Sequence, residues 1–483
     1  MNINQLYKLK KISVLVYGDY MVDKYIHGDV SRISPEAPVP VLHVTKKERQ
    51  FGGAGNVVSN LLSLSAKAYA AGFTGEDDDG SWMKNAFAER GADVTYLRKS
   101  YQVQTIIKTR ITSRNQQFIR LDEERTESIT EDMETQILNE LSEIIGKVDA
   151  VILSDYGKGS VTDRISKEII QMCKSHTIPV IVDPKGTDYK KYAGATICKP
   201  NEKELALVTG SVLREDSDVE NAGRTLKQRS GIDNLVISRS EKGIMLLDED
   251  GTCMNFPTRV QEVIDVTGAG DTVVAMLATA AALGIPLKDS CKLANIAAAI
   301  VCSKFGAASV SLDELIRNVI SQHTEKDKIC YGLEELKGIL DAMKEQGKKI
   351  VFTNGCFDLL HAGHLYSFQQ AKQFGDVLVV AVNSDASVRR LKGDKRPIVD
   401  EMNRMQMVDA LQYVDYVTLM DDDNPARILS VLQPDVVVKG RDWEGKYMPE
   451  REIIETYGGT FKFLDSREGL STTDVINKIQ RTM

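Results

Sequence analysis

The sequence predicts an α/β protein of two domains, each built on a largely parallel sheet. Short β-branched runs alternate along the chain with segments of helical periodicity, as in strand–helix–strand units. Nearly every such run ends in Gly, Ser, Asp, Asn or Lys, residue types suited to ligand sites beyond the carboxyl ends of parallel strands. With 483 residues, the chain exceeds what one hydrophobic core usually serves, so two domains are expected.

The predicted strands fall into two groups. The first group comprises the runs ISVLVYGD, AVILSDYG, IPVIVDPKG and NLVISRS, and the second, in the last third, comprises KKIVFTNG, VLVVAVNSD and DVVVKGRD. Between the groups, helical stretches are interrupted by the polar segment SQHTEKDKICYG. We therefore expect a first domain at residues 1–325, a helical linker region at 326–345 and a second domain at 346–483.

One segment of the first domain departs from the parallel pattern. Residues 101–124 contain VQTIIKTRITSRNQQFIRLDEE, in which apolar residues alternate with polar or basic ones. Such alternation predicts a half-exposed antiparallel strand pair. We expect this pair to form a lid or interface ribbon, and its exposed strand edge favours a homodimer.

Charge and cysteine content exclude several classes of protein. The net charge of −8 and the pI near 5.5 disfavour a general nucleic-acid binder, which needs surplus Lys and Arg. The seven cysteines occur singly, without the CxxC pairs of a zinc site or a disulfide framework, which indicates reduced thiols. The acidic charge therefore favours small-molecule substrates, and the reduced thiols favour a cytoplasmic location. No apolar stretch predicts a membrane span or a signal sequence.

The run DVTGAGDTVVAML predicts a phosphate site. Gly268, Ala269 and Gly270 precede an apolar helix, so their amide groups and the helix dipole can converge on an anion. Asp271, in the first helical turn, can then accept the proton of an attacking hydroxyl. An ordinary capped helix start is the alternative, and the motif alone favours neither explanation.

Two further motifs bear on the same chemistry. FGGAGN places Gly52 and Gly53 before Asn56 at a helix start, which suits a flexible joint that presents an amide to a sugar hydroxyl. KPNEKE places Asn201 and Glu204 three residues apart, so both can reach one metal-bound water or phosphate oxygen. Taken alone, the second motif is better explained by helix capping.

In this order, the three motifs resemble the ribokinase-type carbohydrate kinases over roughly residues 10–320. The resemblance implies a ribokinase-like domain with a β-ribbon lid, ATP and Mg²⁺ as reactants, and Asp271 as catalytic base. It implies that the ATP site contains Asn201, Glu202, Lys203, Glu204, Ser238, Gly243, Gly268, Ala269 and Gly270. It implies that the sugar site contains Asp19, Gly52, Gly53, Asn56, Lys108, Arg110, Arg114 and Asn115. A turn cap remains the alternative for Asp19, and a solvated strand face for the basic ribbon residues.

The motif HAGH follows the strand KKIVFTNG and opens a helix. His361 and His364 lie one turn apart, so both imidazoles can face one ligand near the positive end of the helix dipole. A zinc site is the main alternative, but no matching Cys or carboxylate accompanies the pair. Core or capping histidines are a weaker alternative, given the flanking glycines. Further on, GLSTTDVINKI places Ser471, Thr472 and Thr473 at a helix start, where they can bind triphosphate oxygens.

These two motifs resemble the HxGH nucleotidyltransferase superfamily, which implies a Rossmann-like second domain. The implied reaction is attack of a sugar 1-phosphate on the α-phosphorus of a nucleoside triphosphate. Because this nucleophile is already ionised, the histidines would orient the triphosphate and stabilise charge instead of acting as a base. Besides them, the resemblance implies nucleotide contacts from Thr353, Asn354, Gly355, Phe357, Lys392, Arg404, Lys439, Asp442, Ser471, Thr472 and Thr473. A helix-surface charge is the alternative for Arg404.

The two halves together resemble the bifunctional heptose kinases and adenylyltransferases of bacterial lipopolysaccharide synthesis. Matching strings beyond the shared motifs include SRISPEAPVPV, LSDYGKG and DPKGTDYKKYAGAT. The resemblance implies phosphorylation of D-glycero-β-D-manno-heptose 7-phosphate at C1 and adenylylation of the heptose 1-phosphate. A separate phosphatase would remove the 7-phosphate between the steps. The same reactions on another phosphorylated sugar, and a non-catalytic sugar-nucleotide sensor, are the alternatives.

Overall fold

The computed structural model describes residues 3–113, 116–124, 126–258, 263–304, 306, 308–324, 328–330 and 332–465. The chain divides into two compact units, a larger one at Gln5–Ile316 and a smaller one at Arg317–Met483 with Met1–Asn4. Each unit has its own sheet, which confirms the predicted α/β class. Within the described ranges, no helix combines the length and the apolar character needed to cross a membrane.

Along the larger unit, helices and strands alternate. The strands are β1 (Ser13–Gly18), β2 (Tyr20–Ile33), β3 (Pro40–Gly53), β4 (Lys67–Gly75), β5 (Asp93–Ser100), β6 (Ile106–Ser113), β7 (Gln116–Glu123), β8 (Ala150–Ser154), β9 (Val180–Asp183), β10 (Ile197–Cys198), β11 (Asn234–Ser238), β12 (Ile244–Leu247) and β13 (Cys253–Phe256). The α-helices are α2 (Ala54–Ser63), α3 (Asp78–Glu89), α4 (Glu131–Ile144), α5 (Asp163–Ser175), α6 (Glu202–Thr209), α7 (Asp216–Ser230), α8 (Ala269–Ala282) and α9 (Leu287–Cys302), while α1 (Ile3–Tyr7) and α10 (Leu312–Thr324) each contain residues of both units. Short 3-10 turns lie at Lys8–Lys11, Ile145–Lys147, Lys190–Tyr192 and Ser240–Lys242.

The main sheet of the larger unit has the strand order β13-β12-β11-β10-β9-β8-β1-β4-β5. Strands β1, β4, β5 and β8 to β11 pair in parallel, while β12 and β13 add an antiparallel edge. Strands β1 and β8 are almost wholly buried, as their runs of Val, Leu and Ile require. The carboxyl ends of the parallel strands therefore meet at one edge, where the polar residues after each strand collect.

A second sheet of the larger unit has the order β3-β2-β6-β7. Its strands β6 and β7 form the antiparallel pair predicted for residues 101–124, with Ile107 opposite Glu123. Strands β2 and β3 are fourteen residues long each and pair antiparallel, and β2 lies parallel to β6. Every residue of β7 is exposed, so this strand forms an open edge of the sheet.

The smaller unit contains a six-stranded sheet in which all neighbouring strands are parallel. Its strands are β14 (Ile329–Cys330), β15 (Ile350–Gly355), β16 (Val377–Asn383), β17 (Tyr416–Met420), β18 (Val436–Gly440) and β19 (Thr460–Leu464), in the order β14-β17-β16-β15-β18-β19. Its helices are α11 (Leu333–Glu345), α12 (Ala362–Lys372), α13 (Asp385–Lys392), α14 (Glu401–Asp409), α15 (Ala426–Leu432) and α16 (Glu450–Thr456), with a 3-10 turn at Arg441–Trp443. The order reverses direction between β15 and β18, and this crevice is where open α/β sheets bind ligands.

Candidate functional site

Asp271 lies at the start of α8 and is buried, with 8% of its surface exposed. Its Oδ2 accepts a 2.6 Å hydrogen bond from Nδ2 of Asn56, and its Oδ1 accepts a 2.5 Å hydrogen bond from the Tyr156 hydroxyl. Burial raises the pKa of the Asp271 carboxyl, while the hydrogen bonds from Tyr156 and Asn56 counteract part of that rise. The side chain is thus a buried carboxylate at a helix start, with a protein donor on each oxygen.

Asn56 reaches Asp271 because two helices begin close together. Helix α2 starts at Ala54, directly after β3, and places Asn56 in its first turn. Gly53 has a φ of +56°, and a Cβ there would lie 2.6 Å from the carbonyl oxygen of Asp19, so only glycine fits this junction without strain. Gly52 is also crowded, since a Cβ there would lie 2.5 Å from Oδ2 of Asp23. The paired glycines therefore permit a tight strand-to-helix turn.

Asp19 is fully buried after β1 and holds the loop that follows β8. Its Oδ2 accepts hydrogen bonds from the backbone N–H groups of Tyr156 and Lys158, at 2.9 and 3.1 Å, and its Oδ1 accepts one from Ser160 at 3.0 Å. Burial raises the pKa of this carboxyl, and Asp155 nearby adds to the rise. This geometry is the turn cap considered as the alternative for Asp19, and its contact with a sugar stays a prediction.

Two charged residues near Asp271 were not identified from the sequence. Lys199 follows β10, is 4% exposed, and its Nζ lies 3.0 Å from Oδ1 of Asp183 at the end of β9. A Cβ on Gly270 would lie 3.3 Å from the Lys199 Nζ, so this ammonium group lies beside the Gly268–Gly270 segment. Burial raises the pKa of Asp183 to about 6, although Lys199 lowers it. The only available signal was the position of both residues at strand ends.

Asn201 and Glu204 form a reciprocal capping box at the start of α6. The Glu204 N–H donates to Oδ1 of Asn201 at 2.9 Å, and the Asn201 N–H donates to Oε2 of Glu204 at 3.0 Å. The other carboxylate oxygen of Glu204 accepts from Lys185 at 3.0 Å. Capping, the alternative for this motif, is therefore present, and a role near metal-bound water stays a prediction.

The remaining residues expected near the first nucleotide surround this capping box. Glu202 pairs with the buried Arg239 at 2.8 Å, and Lys203 is exposed. Ser238 ends β11 and forms an isolated bridge with Asn201. Gly243 has a φ of +86°, and a Cβ there would lie 2.1 Å from the carbonyl oxygen of Phe256. These positions share the carboxyl edge of the main sheet with Asp271.

The ribbon residues expected to clamp a phosphate are only partly described. Lys108 and Arg110 lie on β6, opposite Asp23 and Tyr25 of β2. Arg110 forms an ion pair with Asp23, and its guanidinium carbon lies 5.5 Å from the centroid of the Tyr25 ring. Arg110 is therefore engaged by its own sheet. Arg114 and Asn115 lie outside the described residues.

In the smaller unit, His361 and His364 meet at the start of α12. Their ring centroids lie 3.9 Å apart in a stacked arrangement, and His361 is the N-cap residue of the helix. The Nδ1 of His361 accepts from the Gly363 N–H at 3.2 Å, and the Nδ1 of His364 accepts from the His361 N–H at 3.4 Å. The two imidazoles therefore occupy one helix start after β15, as the spacing of the motif predicts.

The protonation states of the two histidines follow from these contacts. Burial lowers the pKa of both, and that of His364 falls to about 4, with His361 and Lys392 contributing. Both rings are therefore neutral near pH 7. Because each Nδ1 accepts a backbone hydrogen bond, the hydrogen-bond network assigns the ring proton to Nε2 in both residues. Two Nε2–H donors at a helix N-terminus suit a ligand rich in anionic oxygens.

The residues at the end of β15 and just after it lie beside the two histidines. Phe357 has a φ of +46° and packs edge-on against His364, with ring centroids 5.3 Å apart. A Cβ on Gly355 would lie 2.9 Å from the Phe357 ring, so a larger residue there would displace that ring. Thr353 donates to the carbonyl oxygen of Val438 at 3.2 Å, while the buried Oδ1 of Asn354 has no hydrogen-bond partner within the described part of the chain. Asn354 thus keeps an acceptor at the strand end.

Arg404 is fully buried, which excludes the helix-surface alternative for this residue. It donates to the carbonyl oxygen of Cys356, to the carbonyl oxygen of Val399 at 2.9 Å and to Oδ1 of Asp385 at 2.7 Å. All three of its nitrogens are thus engaged within the fold. Its direct contact with a nucleotide stays a prediction, and the geometry supports a structural role.

The other expected nucleotide contacts differ in their surroundings. Lys392 is exposed at the end of α13 and close enough to lower the pKa of His364. Lys439 is buried, forms an ion pair with Glu450, and lies 4.5 Å from the centroid of the Trp443 ring. Asp442 lies in the 3-10 turn after β18. Ser471, Thr472 and Thr473 lie outside the described residues.

Two family profiles match the chain, one for each unit. The profile of the pfkB family carbohydrate kinases matches residues 11–315. The profile of the cytidylyltransferase-like proteins matches residues 352–478. These matches divide the candidate residues in the same way as the two compact units do.

Relatives match over nearly the whole chain. The bifunctional protein HldE of Geobacter metallireducens is 44% identical over 481 residues, covering 99% of this chain and 98% of the relative. HldE of Nitratiruptor sp. is 42% identical, covering 97% of this chain and 99% of the relative. Among solved structures, Arabidopsis thaliana ribokinase complexed with ribose and ATP has a TM-score of 0.53 at 20% identity, covering 64% of this chain and 98% of its own. Escherichia coli phosphofructokinase-2 in complex with potassium has a TM-score of 0.52 at 18% identity, covering 63% and 97%. These structures establish the fold of the larger unit.

Proposed function

The chain belongs to the family of bifunctional HldE proteins, which join a carbohydrate kinase to an adenylyltransferase, and we propose that both of its substrates are heptose phosphates. The kinase unit phosphorylates D-glycero-β-D-manno-heptose 7-phosphate at C1. The adenylyltransferase unit converts D-glycero-β-D-manno-heptose 1-phosphate to ADP-heptose and pyrophosphate. The observation that supports this most directly is that one chain contains two such helix starts. One carries the buried carboxylate of Asp271 after a glycine, and the other carries the pair of His361 and His364.

In the proposed kinase reaction, the C1 hydroxyl oxygen attacks the γ-phosphorus of ATP. The hydroxyl proton passes to the carboxylate of Asp271, and ADP leaves with the electrons of the broken P–O bond. The Gly268–Gly270 amides stabilise charge on the transferred group, and Lys199 lies where its ammonium adds to that stabilisation. Asn56 exchanges its contact with Asp271 for one with the sugar.

In the proposed adenylyl transfer, a 1-phosphate oxygen attacks the α-phosphorus of ATP and pyrophosphate leaves. No proton needs to be removed from the nucleophile. The Nε2–H groups of His361 and His364 donate to phosphate oxygens, and Lys392 adds positive charge. Thr353, Asn354 and Phe357 line the strand end beside them.

Both reactions use ATP, and we propose that it arrives as the Mg²⁺ complex. Within the described ranges, no group of three or more His, Cys, Asp or Glu residues could hold a metal ion. Mg²⁺ keeps several waters and is bound largely through substrate phosphates. Glu204 would contact such a metal through water, beside its capping contacts.

We further propose that the protein acts in the cytoplasm as a homodimer joined through the kinase unit. The open edge strand β7 and the exposed Ile119 and Leu121 support an interface there. A separate phosphatase must remove the 7-phosphate, because the kinase product is a 1,7-bisphosphate and the second unit uses a 1-phosphate. No nucleic acid or membrane partner is proposed.

The test is an ATP assay followed by phosphorus NMR. Heptose 7-phosphate should give a 1,7-bisphosphate, and heptose 1-phosphate should separately give ADP-heptose and pyrophosphate. Fructose 6-phosphate and ribose serve as controls. Turnover of a control sugar without turnover of either heptose would reject the heptose assignment, and absence of any turnover would favour the sensor.

A further inference from the structure

Tyr156 contacts the proposed kinase base but is not among the residues that the kinase motifs identify. It lies in the loop after β8, and its hydroxyl donates to Oδ1 of Asp271 at 2.5 Å. We propose that Tyr156 is a positioning residue of the kinase site, whose hydroxyl keeps the Asp271 carboxylate oriented and ionised up to the moment at which it accepts the proton of the sugar hydroxyl. This inference rests on the proposed kinase reaction and deepens it.

The loop that carries Tyr156 is fixed on both sides. Asp19 accepts hydrogen bonds from three backbone N–H groups of residues 156–160, including that of Tyr156 itself. The hydroxyl of Tyr17 donates to the carbonyl oxygen of Ser160 at 2.9 Å. Lys158 pairs with Glu124 at 2.6 Å. A phenol on such a loop has little freedom, so its contact with Asp271 is pre-arranged.

The two donors on Asp271, Asn56 and Tyr156, have different roles in the proposed reaction because of their positions. Asn56 is the predicted sugar contact, so its bond to Oδ2 is the one given up when substrate arrives. Tyr156 then remains on Oδ1, and Oδ2 becomes available to accept the hydroxyl proton. With only one donor left, the orientation of the carboxylate depends on Tyr156 at the moment of proton transfer.

Because of the charges around Asp271, the ionisation of its carboxyl depends on the hydrogen bond from Tyr156. Burial raises the pKa of Asp271, which works against the ionised form that a base requires. Lys199 and the donors lower that pKa, whereas the carboxylates of Asp183 and Asp23 face the site and raise the cost of another negative charge. Burial also raises the pKa of Tyr156 well above its usual value, so the phenol stays a donor. Loss of its hydroxyl should therefore raise the Asp271 pKa further.

The experiment compares the pH dependence of kinase turnover in the wild type and in Tyr156→Phe, using whichever sugar phosphate the wild type accepts. We expect kcat to fall roughly ten- to hundredfold at neutral pH, since hydrogen bonds to charged groups are the stronger ones, with little change in KM. The acid limb of the kcat profile should move to higher pH, so that the deficit shrinks as pH rises. Adenylyl transfer by the same preparation verifies that the protein is folded.

Two further variants sharpen the test. Tyr20→Phe removes another buried phenol, and it should leave the acid limb in place. Within the described ranges, the hydrogen bonds of its hydroxyl are to backbone groups, the carbonyl oxygen of Val16 and the N–H of Ala71. Fluorotyrosine at position 156 is a stronger donor and should move the acid limb to lower pH. A uniform loss of activity at every pH, or no loss, would overturn the proposal. Because the substrate is chosen by wild-type turnover, failure of the heptose assignment would appear separately.

Discussion

Asn56 and Asp271 are 215 residues apart in sequence and are joined by a 2.6 Å hydrogen bond between Nδ2 and Oδ2. This contact brings together the helix starts of α2 and α8. Helix α2 follows a glycine pair, and α8 begins within the GAG segment, with Gly268 as its N-cap. Because the bond lies between buried side chains, the two motifs form one site.

The first prediction concerns Asp271 as the base. Asp271→Asn keeps the size of the side chain but cannot accept a proton, so kinase turnover should fall by at least about 10² to 10⁴. Adenylylation of supplied heptose 1-phosphate should be unchanged, because that reaction belongs to the other unit. Phosphorus NMR of both reactions shows whether the kinase activity is lost while adenylyl transfer is retained.

Asp289→Asn is the matched control, since Asp289 lies in the first turn of the neighbouring helix α9 and pairs only locally with Lys292. It should retain kinase turnover. If Asp271→Asn turned over sugar at the wild-type rate, another group would have to be the base.

The second prediction concerns the histidine pair. His361→Ala and His364→Ala should each lower adenylyl transfer by about 10²-fold, the scale for losing one donor at a site of developing negative charge. Kinase turnover should persist in both. His176→Ala, which removes an exposed histidine after α5, should affect neither reaction. Loss of both activities in a folded variant would contradict independent sites.

The histidine pair of the second prediction should also make stability depend on pH, through His364. The pKa of His364 is lowered to about 4 in the folded protein, against about 6.5 in an unfolded chain. As pH falls from 6.5 towards 4, the unfolded chain binds a proton that the folded chain does not, so the smaller unit should lose stability on the order of 3 kcal/mol. Above pH 6.5 His364 is neutral in both the folded and the unfolded chain, so this loss of stability should be absent.

The measurement uses the fact that the chain has two tryptophans, Trp82 in the larger unit and Trp443 in the smaller. In a Trp82→Phe background, urea unfolding followed by fluorescence reports on the smaller unit. His364→Gln in that background should flatten the decline between pH 6.5 and 4. Equal slopes with and without His364 would show that another group causes the decline.

The sequence was sufficient for the fold class and for most residues near the two helix starts, because glycine, Asp and His motifs are local. It did not reveal Tyr156 or Lys199, whose importance depends on which strand ends become neighbours. The length of β2 and β3 was also missed, since the run HVTKKERQF in β3 is charged and mostly exposed, unlike the apolar run of a buried strand. Arg404 was open to a surface interpretation, because its burial depends on three partners that the local pattern cannot show.

The third prediction follows from the burial of Arg404. Arg404→Met should destabilise the smaller unit by about 3 to 5 kcal/mol, because it leaves Asp385 and two carbonyl groups without their buried donor. Trp443 fluorescence in urea measures the loss, and kinase turnover should be unaffected. Arg389→Met, at an exposed site on α13, is the control. A stable variant with only weaker ATP binding would instead favour a direct nucleotide contact.

The fourth prediction concerns assembly through the ribbon. Ile119 and Leu121 alternate on β7, are 49% and 45% exposed, and lie on an open edge strand. A stable interface buries about 800 Å² per partner and excludes unpaired charge from its core. The double variant Ile119→Asp with Leu121→Asp should therefore convert the dimer to a monomer. Sedimentation velocity should show the mass falling from twice the 53.5 kDa of the chain to a single copy. Val212→Asp changes a still more exposed apolar residue, which lies between α6 and α7, and should leave the dimer intact. A wild type that sediments as a monomer, or a double variant that remains dimeric, would exclude the ribbon as the interface.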